Sequence, residues 1–293
     1  MPVPAAILLL TAGASACPQA ELEGRIRAIA QAASGRVGAA VMLIETGQTA
    51  TWRGGDRFPM QSVYKVPIAM AVLHETEGGK LDLRERIHVT TADLAPREIG
   101  SPLRDAHPEG GEFDLSELLR AMIVESDGTA SDLLLRRVSP ERVTRYLREC
   151  GIDEIDVATT EREMASGPQV QYRNGSTPRA AVGLLAALVA GRCLGAESRR
   201  RLLGWMEESL PGSRRIKGLL PPGTRVAHKT GTSQTASGLT FATNDVGLAT
   251  LPDGRHLALA IFVAESRAPV EIREAIIARI ARAAWDCLAG GGP

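Results

Sequence analysis

Apolar residues form extended segments at both ends of the chain and follow helical spacing between them. Residues 21–34 have the periodicity of an amphipathic helix, and residues 37–47 and 49–55 have the pattern of two strands around a turn. Extended segments return at residues 224–232, 238–251 and 256–266, and an amphipathic helix over residues 271–289 closes the chain. Strands are therefore predicted near both termini.

The middle of the chain, from Ser62 to about Leu203, has helical periodicity. Terminal strands pair most economically in one sheet that the terminal helices cover, so the helical block becomes an insertion. We predict an α/β (α+β) fold with an antiparallel five-stranded sheet, terminal helices and an inserted all-helical domain. The sheet domain would comprise residues 17–60 and 208–293, and the inserted domain residues 61–207. A cleft between two such lobes is a common binding site.

The first 16 residues, MPVPAAILLLTAGASA, form an apolar run that ends in small residues. This pattern predicts a signal peptide over residues 1–16 and a periplasmic or secreted protein. The run is too short to cross a bilayer as a helix, and no later segment is long and apolar enough, so no integral membrane span is predicted. Cys17 follows directly, and a lipid anchor on this residue is the alternative.

The charge balance argues against a nucleic-acid partner. The 293 residues include 34 Lys plus Arg and 34 Asp plus Glu, so the formal net charge is zero and no positive excess can release counterions from a polymer. A small-molecule substrate is the better expectation. None of the four cysteines forms a CxxC pair, and neither cysteines nor histidines have the spacing of metal ligands, so no metal is predicted and no disulfide is assigned.

The segment FPMQSVYKVP places Lys65 one helical turn after Ser62. A serine at the start of a helix is commonly an N-cap, which is the structural alternative. A lysine on the same face of an apolar helix is harder to explain, because an unpaired buried ammonium is unfavourable. A desolvated lysine can act as a base, and free N–H groups at a helix start can stabilise an oxyanion. Ser62 and Lys65 are therefore candidates for a nucleophile and its base.

Two later segments carry hydroxyl groups and a second lysine. Ser126 begins a Ser-Asp-Gly sequence between two helical runs, which is either a simple turn or a loop that projects Ser126 into the cleft. A strand that begins near Thr224 carries a lysine, two threonines and a glycine, which is either an exposed edge or a binding site for a substrate carboxylate. The residues of this second candidate site are Lys229, Thr230, Gly231 and Thr232.

Together these elements resemble the SxxK, SDN and KTG signature of the penicillin-interacting serine enzymes, and among them the class A β-lactamases. The matching elements, in the family's order, are Ser62-Val-Tyr-Lys65, Ser126-Asp127-Gly128 and Lys229-Thr230-Gly231. The resemblance covers the chain after residue 16 and is greatest to the PER-type extended-spectrum branch, through segments such as FPMQSVYK, QVQY, GLLPPGTRVAHKTGTS and LPDGR. It implies a β-lactamase that opens penicillins and cephalosporins through a serine acyl-enzyme and confers β-lactam resistance. It also implies a monomer that needs no cofactor.

The resemblance extends to a carboxylate and an arginine. Glu161 matches the glutamate that activates water against the acyl-enzyme, because TEREM followed by QVQY parallels the PER-type loop; Glu163 is the alternative. Arg215 matches an arginine near the substrate carboxylate, although Arg214 and Lys217 beside it also fit a solvated basic patch. The implied catalytic residues are therefore Ser62, Lys65, Ser126 and Glu161. The implied substrate-binding residues are Lys229, Thr230, Gly231, Thr232 and Arg215.

The sequence also departs from the family pattern. Gly128 replaces the asparagine of SDN, Ala165 stands where class A enzymes usually have an asparagine, and Arg162 replaces a proline after Glu161. The substrate preference therefore cannot be transferred.

Two mechanistic alternatives remain open from the sequence. Either Lys65 or Glu161, through a water, would take the proton of Ser62, and the backbone N–H groups of Ser62 and Thr232 would form the oxyanion hole.

A D-Ala-D-Ala peptidase or other penicillin-binding protein would share the signature but deacylate slowly. A non-catalytic β-lactam sensor is the third class of protein that the sequence allows, beside the β-lactamase and the penicillin-binding protein.

Overall fold

The computed structural model describes residues 17–289. Its α-helices are α1 (Gln19–Ala30), α2 (Lys65–Glu77), α3 (Pro102–Ala106), α4 (Leu115–Arg120), α5 (Gly128–Val138), α6 (Pro140–Glu149), α7 (Glu161–Ala165), α8 (Pro178–Val189), α9 (Ala196–Glu207) and α10 (Val270–Leu288). Its strands are β1 (Arg36–Leu43), β2 (Gln48–Trp52), β3 (Phe58–Pro59), β4 (Arg86–Val89), β5 (Gly111–Asp114), β6 (Ile155–Asp156), β7 (Gly175–Ser176), β8 (Val226–Thr232), β9 (Thr235–Ala236), β10 (Leu239–Thr250) and β11 (His256–Ser266).

The central sheet confirms the predicted antiparallel arrangement of terminal strands. Five strands follow the order β2-β1-β11-β10-β8, and the two-residue β9 pairs with β10 as a sixth strand. Alternate residues of β11 belong to different cores: Leu259 and Ile261 pack with α1 and α10, whereas Phe262 packs with Phe58 and the helical part. This two-residue period is what a sheet buried on both faces requires.

The helical part is built around α2. Its residues from Lys65 to Leu73 are all buried, which fits a helix that is apolar all round and enclosed by other elements. Two antiparallel strand pairs, β4 with β5 and β6 with β7, lie within this part of the chain, where only helices were predicted. Ile87 and Val89 are buried while Arg86 and His88 are exposed, so the alternation of a short strand was present in the sequence. No helix between residues 17 and 289 has both the length and the apolar character needed to cross a membrane.

A disulfide joins Cys17 to Cys287 and ties the start of the described chain to α10. The Cα atoms are 5.1 Å apart, although 270 residues separate the two cysteines in sequence. Cys150 and Cys193 are free. The sequence analysis left this pairing unassigned because nothing local marks it. The disulfide also argues against the lipid-anchor alternative, because a lipid would be attached to the Cys17 sulfur through a thioether and this sulfur is already bonded to Cys287.

Replacing Cys287 with serine removes this cross-link. Loss of a native disulfide typically costs about 2–4 kcal/mol, so we expect the melting temperature to fall by roughly 5–10 °C in unreduced samples. Circular dichroism during heating measures this change. Cys150→Ser is the matched control, because Cys150 is a free and half-buried thiol, and its melting temperature should stay within about 2 °C of the parent. Equal melting temperatures for Cys287→Ser and the parent would contradict the cross-link.

Candidate active site

Ser62 lies in a short 3₁₀ turn, Gln61–Tyr64, that leads into α2. This turn packs closely against β8: a Cβ atom on Gly231 would lie 2.3 Å from the carbonyl oxygen of Met60 and 3.1 Å from Cβ of Gln61. Only glycine fits such an approach. Gly231 therefore lets β8 lie directly beside the chain that carries Ser62, and its predicted contact with a ligand stays a prediction.

The Ser62 hydroxyl has no capping role. Met60 precedes the 3₁₀ turn and Tyr64 precedes α2, and neither helix start has a side-chain cap. Among residues 17–289 no group is hydrogen-bonded to the Ser62 hydroxyl, which lines the cleft. The N-cap alternative from the sequence is therefore wrong.

Lys65 is buried, and its ammonium is surrounded by acceptors from two other segments. Nζ donates to the carbonyl oxygen of Ser126 at 2.6 Å and to that of Asp127 at 3.3 Å, and it lies 3.4 Å from Ser126 Oγ. Nζ also lies 2.9 Å from Oε1 of Glu161. A buried ammonium needs such compensation. Lys65 thereby brings Ser126 and Glu161 to the same point.

Ser126 follows a π-helical turn, Ala121–Glu125, and has a left-handed backbone with φ of 62°. Both features are uncommon for an ordinary residue and recur at functional sites. The hydroxyl of Ser126 accepts a hydrogen bond from Lys229 Nζ at 2.9 Å. Ser126 therefore projects between the two lysines, as the sequence analysis expected of a loop and not of a simple turn.

The two residues after Ser126 are structural. Asp127 is fully buried and accepts hydrogen bonds from the Ser101 hydroxyl and from the backbone N–H groups of Leu103 and Ala130, so it caps α5. A Cβ atom on Gly128 would lie 2.3 Å from Cγ2 of Ile99. Ile99 therefore occupies the space that a side chain at position 128 would need, which accounts for the departure at this position.

Lys229 is fully buried on β8. Burial, and next the charge of Lys65, lower the pKa of Lys229 well below its usual value, while the charges of Asp245 and Glu161 act in the opposite direction. Its ammonium also donates to the carbonyl oxygen of Thr230 at 3.2 Å. The two lysines therefore share Ser126 as a neighbour, so a proton can pass between Ser126 and either lysine.

Glu161 and its alternative, Glu163, have different surroundings. Glu161 begins α7, and its side chain is only 12% exposed beside Lys65. Glu163 is exposed and completes a capping box, in which Oε2 accepts from the N–H of Thr160 at 2.8 Å and the Thr160 hydroxyl accepts from the N–H of Glu163. The structure therefore brings Glu161, and not Glu163, to Ser126 and Lys65.

The sequence analysis missed the residues that hold Glu161 in place. Asp132 on α5 is buried and accepts from the N–H groups of Glu161 at 2.7 Å and Arg162 at 3.2 Å. Asn174 is buried and binds Thr159, with its Oδ1 accepting from the N–H at 3.0 Å and its Nδ2 donating to the carbonyl at 2.9 Å. The one signal in the sequence was Asp132 itself, which directly precedes three leucines. A carboxylate inside a buried helix needs hydrogen-bond partners, so its presence there indicates a structural or functional contact.

Gln171 provides a third attachment for the same loop. Its Oε1 accepts a hydrogen bond from Nε2 of Gln61 at 2.5 Å, and its own Nε2 donates to the carbonyl oxygen of Pro168 at 2.7 Å. Gln61 directly precedes Ser62. The loop that carries Glu161 is therefore joined to the chain that carries Ser62.

Arg215 is 5% exposed, so it is not part of a solvated basic patch. Its guanidinium donates to the Thr232 hydroxyl at 2.7 Å, to the carbonyl oxygen of Asn244 at 2.8 Å and to Glu274 at 3.2 Å. Thr232 is exposed and lines the cleft. Arg215 therefore contacts the cleft through Thr232.

These groups open onto one cavity of about 620 Å³ between the sheet and the helical part. The candidate residues that line this cavity are Ser62, Lys65, Ser126, Glu161, Thr230 and Thr232. Its rim includes Ile99, Gly100 and Gln234, and the Gln234 side chain donates to the carbonyl oxygen of Glu98 at 3.1 Å across the opening. A cavity of this size accommodates a small molecule and not a polymer.

Comparisons with known proteins agree with this geometry. A model of the β-lactamase enzyme family matches residues 21–288. The extended-spectrum β-lactamase PER-1 of Pseudomonas aeruginosa is 41% identical over 234 residues, which are 79% of this chain and 75% of PER-1.

Two solved structures have the same fold. The crystal structure of a β-lactamase from Chitinophaga pinensis is 43% identical, with a TM-score of 0.89, and the match covers 91% of this chain and 98% of that one. The TLA-3 extended-spectrum β-lactamase is 37% identical, with a TM-score of 0.90, and the match covers 93% and 100% of the two chains. The chain thus belongs to the β-lactamase enzyme family and is a class A serine β-lactamase.

Proposed function

We propose that Ser62, Lys65, Ser126 and Glu161 are the catalytic residues of this β-lactamase. The observation that carries the proposal is the buried ammonium of Lys65, which lies within 2.9 Å of Glu161 Oε1 and 3.4 Å of Ser126 Oγ. Ser62 lies three residues before Lys65 and lines the same cavity. A nucleophile, two proton-transfer groups and a carboxylate thus share one small-molecule cavity.

The acylation step would begin with attack of Ser62 Oγ on the lactam carbonyl. Its proton passes to Glu161 through a water, or to Lys65 after the ammonium of Lys65 has given a proton to Glu161, and the backbone N–H groups of Ser62 and Thr232 stabilise the oxyanion. The ring C–N bond then breaks, and Ser126 gives a proton to the departing nitrogen. Lys229 supports this transfer because its ammonium donates to Ser126 Oγ at 2.9 Å.

The substrate carboxylate would bind at β8, to Lys229, Thr230 and Thr232. Arg215 contributes indirectly, since its guanidinium is held by four protein oxygens and orients the Thr232 hydroxyl. Gly231 permits the approach of β8 to Ser62. Burial favours the neutral form of Lys229 in the free enzyme, before the anionic substrate arrives.

Glu161 would then activate water against the acyl-enzyme. Its carboxylate is held between the ammonium of Lys65 and the α7 backbone anchored by Asp132, so its position relative to the ester is fixed. This step separates a β-lactamase from a penicillin-binding protein, in which the acyl-enzyme persists.

We also propose that residues 1–16 are a signal peptide and that the mature protein acts in the periplasm or outside the cell as a monomer. The Cys17–Cys287 disulfide supports this location, because disulfides persist in oxidising compartments. Residues 17–60 and 208–293 would form the sheet domain, and residues 61–207 the inserted helical domain.

Glu161→Ala tests the assignment of the deacylating base. We expect turnover of a chromogenic cephalosporin to fall by about 10²–10⁴-fold, since general base catalysis is lost, while Ser62 still becomes acylated. Mass spectrometry of the quenched reaction measures the acyl adduct, which should accumulate in the variant and not in the parent.

Glu163→Ala is the matched control for this experiment, because Glu163 is an exposed capping residue on the same short helix. Its turnover should remain within a few-fold of the parent. If Glu163→Ala accumulates the adduct and Glu161→Ala does not, the two assignments must be exchanged. If the parent itself accumulates the adduct without turnover, the peptidase alternative is correct.

Asp132 gives the stability of the protein a pH dependence. Burial is the largest of the effects that raise the pKa of Asp132 to about 6, so the folded state binds its proton more tightly than the unfolded chain does. Protonated Asp132 therefore contributes to the free energy of unfolding at low pH, and this contribution is lost as pH rises through 6. We expect this loss to be about 1 kcal/mol between pH 5 and pH 7, and to be absent in Asp132→Asn.

Urea unfolding at several pH values measures this difference. Asp93→Asn is the control, because a hydrogen bond from the Thr90 backbone N–H is the main cause that lowers the pKa of Asp93 to about 2, outside this pH range. A pH dependence that is unchanged in Asp132→Asn would contradict the assignment.

A further inference from the structure

Tyr64 carries a buried hydroxyl that has no structural use. The side chain is fully buried where the 3₁₀ turn Gln61–Tyr64 meets the helical part, and with Tyr146 it is among the largest fully buried side chains. Its hydroxyl is buried and has no hydrogen-bond partner among residues 17–289. Buried polar groups without partners destabilise a fold, and a phenylalanine would fill the same space without this cost. The hydroxyl therefore calls for a functional explanation.

The charged groups that act on this hydroxyl belong to the candidate active site. Burial, and then the negative charges of Glu161 and Asp132, raise the pKa of Tyr64 well above its usual value. The phenol therefore stays protonated and can serve only as a neutral donor or acceptor beside two carboxylates. Both oxygens of Asp132 already accept backbone N–H groups, whereas Oε1 of Glu161 is buried without a hydrogen-bond partner and has only its ion-pair contact with Lys65.

We propose that Tyr64 is a positioning residue whose hydroxyl donates a hydrogen bond to the carboxylate of Glu161 when substrate is bound, since poorly aligned active-site contacts tighten at that stage. The proposal rests on the assignment of Glu161 as the deacylating base. With Lys65 on one side and Tyr64 on another, the carboxylate would be held in one orientation, and a hydrogen-bond donor favours the form that accepts a proton from water.

Removal of the Tyr64 hydroxyl should move the pH–rate profile in one direction. A donor favours the charged carboxylate, so its removal makes the base easier to protonate, and the acid limb of the rate profile moves to higher pH. Five other titratable or charged groups surround Glu161 and Tyr64, counting every element that packs against them. They are Lys65, Lys229, Asp132, Arg162 and Glu163. None of them is altered by removing a neutral hydroxyl.

Tyr64→Phe tests the proposal, because it removes one oxygen atom and keeps the ring. We expect the acid limb of kcat, measured with a substrate limited by deacylation, to shift upward by roughly one pH unit, while kcat at the plateau changes by less than about threefold. The fraction of acyl-enzyme in quenched samples at acid pH should rise in parallel. The melting temperature should be unchanged or higher, since an unpartnered buried hydroxyl is lost.

Tyr146→Phe is the matched control. Tyr146 is also fully buried, but its hydroxyl donates to the carbonyl oxygen of Cys193 at 2.7 Å, in a hydrogen bond that does not involve the active site. This variant should lose a few degrees of melting temperature and keep the pH profile of the parent. The two variants thus separate a positioning role from a packing role.

Asp132→Asn identifies the acceptor. If Glu161 accepts the hydrogen bond, the shift caused by Tyr64→Phe persists when Asp132 is replaced by asparagine. A shift that disappears in this background would show that Asp132 is the acceptor and would overturn the proposal.

The remaining outcomes separate this proposal from the proposed function. If Tyr64→Phe has the same pH profile as the parent, or an acid limb at lower pH, while Glu161→Ala accumulates the acyl-enzyme, only the role of Tyr64 is wrong. If Glu161→Ala turns over like the parent, the assignment of Glu161 fails, and the inference about Tyr64 fails with it.

Discussion

The ammonium of Lys65 is buried, and a buried charge is stable only where acceptors and an opposite charge replace the water that it has lost. Those groups come from Ser126 and Asp127, directly after the π-helical turn, and from Glu161 at the start of α7. The same contacts that stabilise the charge therefore assemble the active site. Substitution of any one of these groups would leave the others without a partner, so stability and catalysis are coupled at this point.

The loop that carries Glu161 depends on side chains more than on regular secondary structure. Its helix, α7, has five residues, which is too short to be stable alone. Asp132 binds its first N–H groups, Asn174 closes the loop behind it, and Gln171 joins it to Gln61. Polar groups that are buried with all their partners define a single arrangement, and this rigidity fixes the position of Glu161 beside Lys65.

The fold class was predicted from where segments with strand or helix periodicity occur along the chain, and the order of strands in the central sheet confirms it. The β4–β5 and β6–β7 pairs were not predicted, because strands of two to four residues carry little signal within a helical region. Ser62 was also considered as an N-cap, since local sequence cannot show that a 3₁₀ turn precedes α2. The Cys17–Cys287 disulfide has a separation of 270 residues, and no local pattern predicts such a contact.

The sequence by itself determined which reactive groups the protein has and in which order they occur, because the residue types at Ser62, Lys65 and Lys229 supply one hydroxyl and two amines whatever the fold. Only the tertiary structure decided which of two glutamates reaches Lys65 and that Arg215 acts behind Thr232. The reason is physical: burial and desolvation depend on neighbours that are distant in the chain, as Lys229 and Ser126 are at 103 residues apart.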